Sequence, residues 1–300
     1  MFQIEPDLAD KFEFYKNPLL RGAGVCWCYY SKEINPDEIK KSLADTSYFS
    51  KVPKEKILRD SRNLLAHYEF TIKSQDLFFC EKKEFILKKF RNKSIADWLK
   101  YGLRTSKAVK GWKKTCEFLK RGINTPRPFL LLEKRWRFIL LYSCLLVEKI
   151  TNFIPLREIL TKYRKEKKGT YQEEKKIFLD KLAKYIKNMH DSGIIHRDLS
   201  GGNILIQNAR HPDKMTFSVI DINRSRIIEN PSFQDRMKDL ERIRIEWEDR
   251  LFFFKCYCSN NAMFERYKDT YLKRVERYRY KRKHKPIFKK FFSKLFESVL

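Results

Sequence analysis

The chain has 300 residues, of which 42% are hydrophobic, so it can bury a substantial core and suits one two-lobed unit rather than a string of independent domains. Lys and Arg total 66 against 38 Asp and Glu, and the formal charge of +28 indicates a polyanionic partner: anionic lipid, a phosphorylated glycolipid or nucleic acid. An A/T-rich genome, which favours lysine codons, is the alternative explanation. No apolar run approaches the ~18 residues of a membrane-spanning helix, and the first residues lack the basic-then-apolar order of a signal peptide.

Cysteine spacing favours reduced thiols over a metal site or a disulfide framework. The seven cysteines include the pairs Cys26/Cys28 and Cys256/Cys258, and neither pair has a matching Cys-x-x-Cys or a histidine at a zinc-site spacing. An odd number of partly buried thiols is typical of a cytoplasmic protein.

Taken in chain order, the first elements are a leader and a set of strands. Residues 1–55 are a polar and aromatic leader to which the sequence assigns no chemistry. Apolar alternation predicts strand structure over residues 57–72, around Ser61-Arg-Asn, and two further strands within residues 77–90, joined at Glu81-Lys-Lys.

Helices and a buried strand follow. Residues 105–120 are predicted to form a helix that ends at Gly122, before the breaker Thr125-Pro-Arg-Pro. Residues 138–147 are predicted to be a buried strand, and Glu148-Lys-Ile-Thr to be a hinge between two lobes. A long helix over residues 172–191 has a predicted core face made of Ile177, Phe178, Leu182, Tyr185, Ile186 and Met189. His190 is expected to pack at its end.

The segment after this helix carries the most specific motif of the chain. Residues 196–203 read His-Arg-Asp-Leu-Ser-Gly-Gly-Asn, which matches the H-R-D-L-x-x-x-N catalytic loop of protein-kinase-like phosphotransferases. Phosphoryl transfer depends mainly on positioning and charge neutralisation. Asp198 is therefore predicted to accept or orient the proton of an attacking hydroxyl, and His196 to anchor the loop rather than act as a base.

Two further positions complete a predicted metal site. Asn203, five residues after Asp198, offers a neutral oxygen, and Asp221, at the end of a predicted strand over residues 215–220, offers an anionic one. Oxygen ligands of this kind suit Mg²⁺. Gly201 and Gly202 are expected to allow backbone angles in this loop that side chains would resist.

A kinase also needs groups that hold ATP, and these are predicted upstream. The run Phe-Ile-Leu-Lys-Lys resembles the strand that carries the phosphate-binding lysine. Because side chains alternate along a strand, Lys88 is preferred and Lys89 is the alternative. Glu117 is the candidate partner of this lysine on the following helix. The adenine is expected to contact the backbone near Glu148 and Ile150.

The C-terminal tail, residues 264–300, contains 13 Lys and Arg against four Asp and Glu. Its apolar positions fall at helical spacing on one side: Phe288, Phe291, Phe292, Leu295 and Phe296. A basic helix with such an apolar face can lie in a membrane interface, or the same face can pack on the C-terminal lobe; the periodicity is the same in both cases.

Three segments together resemble the bacterial lipopolysaccharide core (Kdo/heptose) kinase family. They are Gly-Ile-Asn-Thr-Pro-Arg-Pro at 122–128, the catalytic-loop segment from Gly193, and Val-Ile-Asp-Ile-Asn-Arg-Ser-Arg at 219–226. The resemblance covers roughly residues 56–228. It implies that ATP and Mg²⁺ are used to phosphorylate a Kdo or heptose sugar of Kdo-lipid A, by a cytoplasmic enzyme peripheral to the inner face of the inner membrane.

By this resemblance Asp198 is the base, Asn203 and Asp221 are metal ligands, and Lys88 binds phosphate. The chain departs from protein kinases in having no G-x-G-x-x-G before Lys88, Asn223 in place of the DFG glycine, and no A-P-E after Asp221. The alternatives are another kinase-fold phosphotransferase, acting on a protein or a small molecule, and a non-catalytic pseudokinase bound to anionic membrane. The missing A-P-E argues against a protein substrate, because it removes the platform on which a peptide would bind.

The sequence therefore predicts an α+β, two-lobed protein-kinase-like fold. Its expected parts are the leader (1–55), an N-lobe with an antiparallel sheet and one helix (56–149), a mainly helical C-lobe with the catalytic loop (150–263), and the tail (264–300). The tail is expected to bind anionic membrane, nucleic acid is the least favoured partner, and the oligomeric state stays open.

Overall fold

The computed structural model describes residues 14–19, 25–31, 52–60, 63–73, 80–90, 104–136, 139–165 and 171–297. These residues fall into two compact units, and the division in the chain lies between Thr151 and Asn152. The first unit contains an antiparallel sheet and one helix, and the second is mainly helical. This is the mixed composition that the sequence predicts.

A seven-stranded antiparallel sheet forms the first unit, in the order β1-β2-β6-β7-β5-β4-β3. Its strands are β1 Phe14–Leu19, β2 Val25–Ser31, β3 Ile57–Asp60, β4 Asn63–Lys73, β5 Cys80–Phe90, β6 Pro128–Trp136 and β7 Ile139–Glu148. Two strands of the predicted leader, β1 and β2, thus extend the sheet next to β6.

The prediction of two strands within residues 77–90 is wrong in the part that is described. β5 is a single strand that pairs with β4 without interruption from Lys73↔Cys80 to Asn63↔Phe90. The polar run at residues 81–83 does not end β5, because the backbone of these residues still pairs with residues 70–72 of β4. The connection between the two strands lies in residues 74–79, outside the described residues.

The two faces of this sheet bury separate clusters. One face packs Phe70, Phe85, Leu87 and Phe129 with their neighbours. The other packs Phe90, Leu131 and Leu145 against Trp112 and Cys116 of helix α1 (Lys107–Lys120). The helix begins at the cap Ser106, whose hydroxyl accepts from the Val109 amide at 3.2 Å.

Helix α1 ends where the sequence predicts. The Gly122 amide donates to the Leu119 carbonyl at 3.0 Å, and the Ile123 amide to the Phe118 carbonyl at 2.9 Å. This pair of bonds is a Schellman motif, which needs the left-handed φ of 73° that Gly122 adopts.

In the second unit, helices surround two short sheets. Its helices are α2 Leu156–Lys165, α3 Tyr171–Asp191, α4 Phe233–Leu240, α5 Arg250–Tyr257 and α6 Asn261–Glu297. Its strands are β8 Phe153–Pro155, β9 Ile194–Ile195, β10 Ile204–Gln207, β11 Thr216–Val219 and β12 Arg226–Ile227. β10 pairs with β8 and β11, and β12 pairs with β9.

Helix α3 buries the predicted face with one exception. Phe178, Leu182, Ile186 and Met189 are buried and Tyr185 is half-buried, but Ile177 is 44% exposed, so its placement in the core is wrong. Its position on the helix is about 100° from that of Phe178 and outside the stripe repeated at intervals of three and four residues.

Helix α6 packs on the second unit along its first half. Tyr271 and Val275 are fully buried, and the Tyr271 ring stacks on Phe254 of α5 with centroids 4.5 Å apart. The predicted apolar face at residues 288–296 lies on the helix, but its side chains are outside the described residues. No helix in the described part of the chain combines the length and apolar character needed to cross a membrane.

Candidate active site

The catalytic-loop motif forms a compact loop between β9 and β10 of the second unit. The side-chain amide of Asn203 donates to the Asp198 carbonyl at 2.8 Å, and the Ser200 amide donates to the same carbonyl at 2.8 Å. The five-residue spacing thus closes the loop on itself. Because the Asn203 side chain uses its nitrogen for this bond, its Oδ1 points away from the Asp198 carbonyl.

A buried carboxylate accepts hydrogen bonds from the backbone of this loop. Asp239 on α4 is fully buried and accepts from the backbone amides of His196 at 2.6 Å and Arg197 at 2.7 Å. Arg197 takes a left-handed φ of 64°, which brings both amides to one carboxylate. Sequence reasoning missed Asp239. The available signal was an acidic residue between the apolar positions Met237 and Leu240 of an amphipathic helix.

The two histidines near the loop are structural, in agreement with the sequence. His196 Nε2 lies 3.0 Å from the Ile220 carbonyl, and its Nδ1 lies 3.3 Å from the Asp198 amide, which donates to it. This pattern assigns the proton of the neutral ring to Nε2. Burial lowers the pKa of His196 and of His190, whose Nδ1 lies 2.8 Å from the Tyr257 hydroxyl.

The Asp198 carboxylate is held between two guanidinium groups. Arg224 Nη1 lies 3.2 Å from one carboxylate oxygen, and Arg242 Nη1 lies 3.4 Å from the other. The side chain stays 27% exposed, so a hydroxyl can reach it. Because each oxygen has its own cation, the carboxylate orientation is fixed. Arg224 belongs to the predicted motif at 219–226, whereas Arg242 was not predicted.

The two predicted metal ligands lie at the same end of the β10–β11 hairpin. Ile204 pairs with Val219, and the Ile220 amide donates to the Asn203 carbonyl at 3.0 Å, so Asp221 follows directly beside Asn203. Asp221 has a left-handed φ of 56°. An anionic and a neutral oxygen donor at one hairpin end fit a magnesium ion.

The expected reason for the glycines of the loop is wrong. Neither Gly201 nor Gly202 adopts a positive φ. Gly201 is instead packed against the start of α2, where the Arg157 amide donates to its carbonyl at 2.8 Å. A Cβ at Gly201 would lie 3.1 Å from the Arg157 backbone, so close approach explains the absence of a side chain there.

In the first unit, the strand β5 places its two lysines on opposite faces. Lys88 is paired across the sheet with Leu145, which belongs to the cluster against α1. Lys89 is paired with Cys144, which belongs to the cluster on the other face. Lys88 thus shares the face of the sheet on which α1 packs, the relation that a lysine paired with a helix glutamate requires.

The candidate helix partner Glu117 forms an ion pair with Arg121, one turn along α1, with 3.5 Å between Nε and the carboxylate oxygen. The side chain is 29% exposed.

The hinge that follows β7 uses two of its amides internally. The Glu148 amide donates to the Arg127 carbonyl at 2.8 Å and the Lys149 amide to the Glu84 carbonyl at 3.0 Å. The Ile150 amide has no backbone acceptor within the described residues. Of the two predicted adenine contacts, Ile150 therefore offers a donor and Glu148 only its carbonyl.

A group of possible metal ligands also occurs on the first sheet, and a lysine forms an ion pair with one of its carboxylates. His67, Glu69 and Glu84 bring their ligand atoms within 4.8 Å of one another. The Lys149 ammonium lies 2.7 Å from Glu84. The Lys149 ammonium and His67 lower the pKa of the Glu84 carboxyl.

The segment between Asp221 and α4 is short and is fixed by strand pairing and a helix cap. Arg226 and Ile227 pair with β9, and the cap Ser232 starts α4 at Phe233. All residues between Asp221 and α4 are described, and they form no extended segment that could support a bound peptide.

Comparison with known proteins decides among the kinase-like families. A family model described as the lipopolysaccharide kinase (Kdo/WaaP) family matches residues 66–257, more than half of the chain. The chain belongs to this lipopolysaccharide kinase family. The resemblance that the sequence motifs indicate is therefore confirmed, and the chain is an ATP-dependent phosphotransferase with an alcohol group as acceptor.

A solved structure similar to the chain is described as WaaP in complex with acyl carrier protein. It has a TM-score of 0.58 and 16% sequence identity, and the match covers 81% of this chain and 95% of that chain. At this identity the likeness concerns the fold, and it agrees with the predicted two-lobed kinase-like architecture. No curated protein sequence matches the chain significantly.

The loop anchor gives a testable prediction. We expect Asp239→Asn to lower the free energy of unfolding by about 1–3 kcal/mol, because the amide nitrogen of Asn cannot accept from a backbone amide and leaves one donor unpaired. Urea denaturation measures this. The control is Asp235→Asn on the same helix, which is partly exposed and pairs with Lys238, and should cost less than about 1 kcal/mol. Equal losses for the two variants would contradict the anchoring role.

Proposed function

We propose that the chain transfers the γ-phosphate of ATP to a hydroxyl of a Kdo or heptose sugar in the lipopolysaccharide inner core, at the surface of the inner membrane. The observation that carries this proposal is the joint placement of Asp198, Asn203 and Asp221 around one loop and one hairpin end. The family supplies the substrate class, and the specific sugar and its hydroxyl are the proposed part.

In this proposal Asp198 receives the proton of the sugar hydroxyl as that oxygen attacks phosphorus. Arg224 and Arg242 keep its carboxylate oriented, with one oxygen paired to each. Asn203 and Asp221 hold Mg²⁺, which neutralises phosphate charge when bound. A carboxylate fixed in this way acts by positioning, the main contribution that enzymes make to phosphoryl transfer.

ATP is bound, in this proposal, by residues of the first unit. Lys88 contacts its phosphates, and Glu117 orients Lys88 after exchanging its present partner Arg121. The adenine bonds to the Glu148 carbonyl and the Ile150 amide at the end of β7. The face that Lys88 shares with α1 supports it over Lys89.

Three alternative functions are less well supported. A protein kinase needs a surface for a peptide after the metal-binding Asp, whereas here the chain passes from Asp221 through β12 into α4 within about a dozen residues. A pseudokinase has no need for an intact acid and two oxygen ligands in one loop system. A small soluble acceptor does not explain the positive charge of the chain.

The first test is ATP turnover with Mg²⁺ on purified protein offered Kdo-bearing lipid A. We expect phosphate on the sugar, and a loss of about 10²–10⁴-fold in kcat for Asp198→Ala with folding and nucleotide binding retained, because one positioned acid-base is removed. Asp221→Asn should instead weaken Mg²⁺-dependent ATP binding. Full turnover by Asp198→Ala would refute the assignment. ATP binding without sugar phosphorylation would leave the acceptor to be found.

The lysine assignment is tested by a matched pair of variants. We expect Lys88→Ala to raise the KM for ATP about tenfold or more, because a cation on the nucleotide phosphates is lost. Lys89→Ala removes the same charge from the next position, on the opposite face of β5, and should leave KM nearly unchanged. Initial rates at varied ATP concentration distinguish the two, and a larger effect for Lys89→Ala would reverse the assignment.

Membrane attachment is proposed for the end of the basic tail, where the periodic phenylalanines lie. We expect the protein to co-sediment with phosphatidylglycerol vesicles, less so at high salt, and weakly with phosphatidylcholine vesicles. Phe288→Ser/Phe292→Ser should reduce binding by removing apolar insertion. The control Leu251→Ser changes an exposed apolar residue of α5 and should not. Unchanged binding of the double variant would indicate that this face does not insert.

A further inference from the structure

A concave surface lies in the second unit, separate from the catalytic loop. This groove has a volume of about 380 Å³ and is formed by the end of α2, residues 241–250 and one side of α6. Six cations line it: Arg164, Arg244, Arg250, Arg279, Arg282 and Lys283. Its two acidic residues are already paired, Glu241 with Arg274 and Glu246 with Arg164. The groove therefore carries a clear excess of positive charge.

The least exposed of these cations is Arg250, which is only 2% exposed. Its guanidinium donates to the Tyr271 hydroxyl at 3.1 Å and to the Ile243 carbonyl at 3.0 Å, both of them neutral. Its Nε is buried without a hydrogen-bond partner, and no carboxylate of the described residues lies within ion-pair distance. A buried cation without a counter-charge is costly. An anion bound in the groove would reduce that cost.

The groove is adjacent to the catalytic loop. Arg242, which contacts the Asp198 carboxylate, also lies over the ring of Tyr278, with its guanidinium carbon 5.7 Å from the ring centroid. Tyr278 is a lining residue of the groove. Only two side-chain contacts therefore separate the groove from the residue that receives the proton of the acceptor. One large ligand can reach both places.

We propose that this groove binds a phosphate group of the acceptor glycolipid while a sugar hydroxyl of the same molecule lies at Asp198. This inference rests on the proposed function. Guanidinium groups suit a phosphate because their parallel N–H donors match its oxygens. The arrangement selects acceptors that already carry phosphate. The groove also accounts for part of the positive net charge of the chain, because six of its Lys and Arg residues line it.

The test uses two exposed groove residues, so that folding is not at risk. The variant Arg244→Gln/Arg282→Gln removes two cations from the groove. The control Arg210→Gln/Lys255→Gln removes two exposed cations of the same unit outside it. Full-length proteins are titrated calorimetrically with detergent-dispersed Kdo-lipid A, with the same lipid after enzymatic removal of its phosphates, and with inorganic phosphate. Phosphate transfer to the intact lipid is measured in parallel.

We expect the groove variant to bind the phosphorylated lipid about tenfold more weakly and to raise the KM by a similar factor, with kcat and the KM for ATP retained. The control should match the unmodified protein, and the dephosphorylated lipid should bind both proteins equally weakly. An equal loss in the control, or an equal loss with the dephosphorylated lipid, would overturn the proposal. So would binding of inorganic phosphate as tight as that of the lipid, since the source would then be free phosphate.

Failure of the proposed function has a different signature. If the unmodified protein binds the phosphorylated lipid through the groove but transfers no phosphate to it, the acceptor assignment fails while the binding site stands. If it transfers phosphate normally and the groove variant does so with an unchanged KM, the groove proposal alone fails.

Discussion

The candidate active site depends on one buried carboxylate. Asp239 accepts hydrogen bonds from the amides of His196 and Arg197, and these bonds fix the backbone from which Asp198 projects. The Asp239 carboxylate provides acceptors for both amides, which would otherwise lack them. The two amides in turn stabilise the negative charge of the carboxylate. The rest of the site follows from this fixed point: the Asn203 amide closes the loop, and two arginines orient the carboxylate that remains exposed.

Much of this site could be predicted because its chemistry needs particular residue types at short, fixed spacings. The five residues from Asp198 to Asn203 form one loop, and Asp221 ends a strand that pairs with the next one, so sequence proximity was enough. Asp239 and Arg242 could not be found in the same way. Each acts on the loop across more than 40 positions of the chain, and such contacts are set by how α4 packs rather than by a local pattern.

The fold shows the same division between local and non-local information. The helices over 107–120 and 171–191 were predicted nearly to the residue, because caps and periodicity are local signals. The pairing of β1 with β2 and of β2 with β6 was not predicted, since the local sequence of a strand does not identify its partner. Gly201 illustrates a subtler limit. Glycine was expected there, but the cause is the neighbouring backbone of Arg157 and not the φ angle.

The short path from Asp221 to α4 has a consequence for regulation. Many protein kinases carry a long segment at this point, which phosphorylation orders to switch the enzyme on. Here the pairing of β12 with β9 and the cap at Ser232 already fix the chain within the space of about a dozen residues. With nothing left to be ordered, this segment gives no on–off switch.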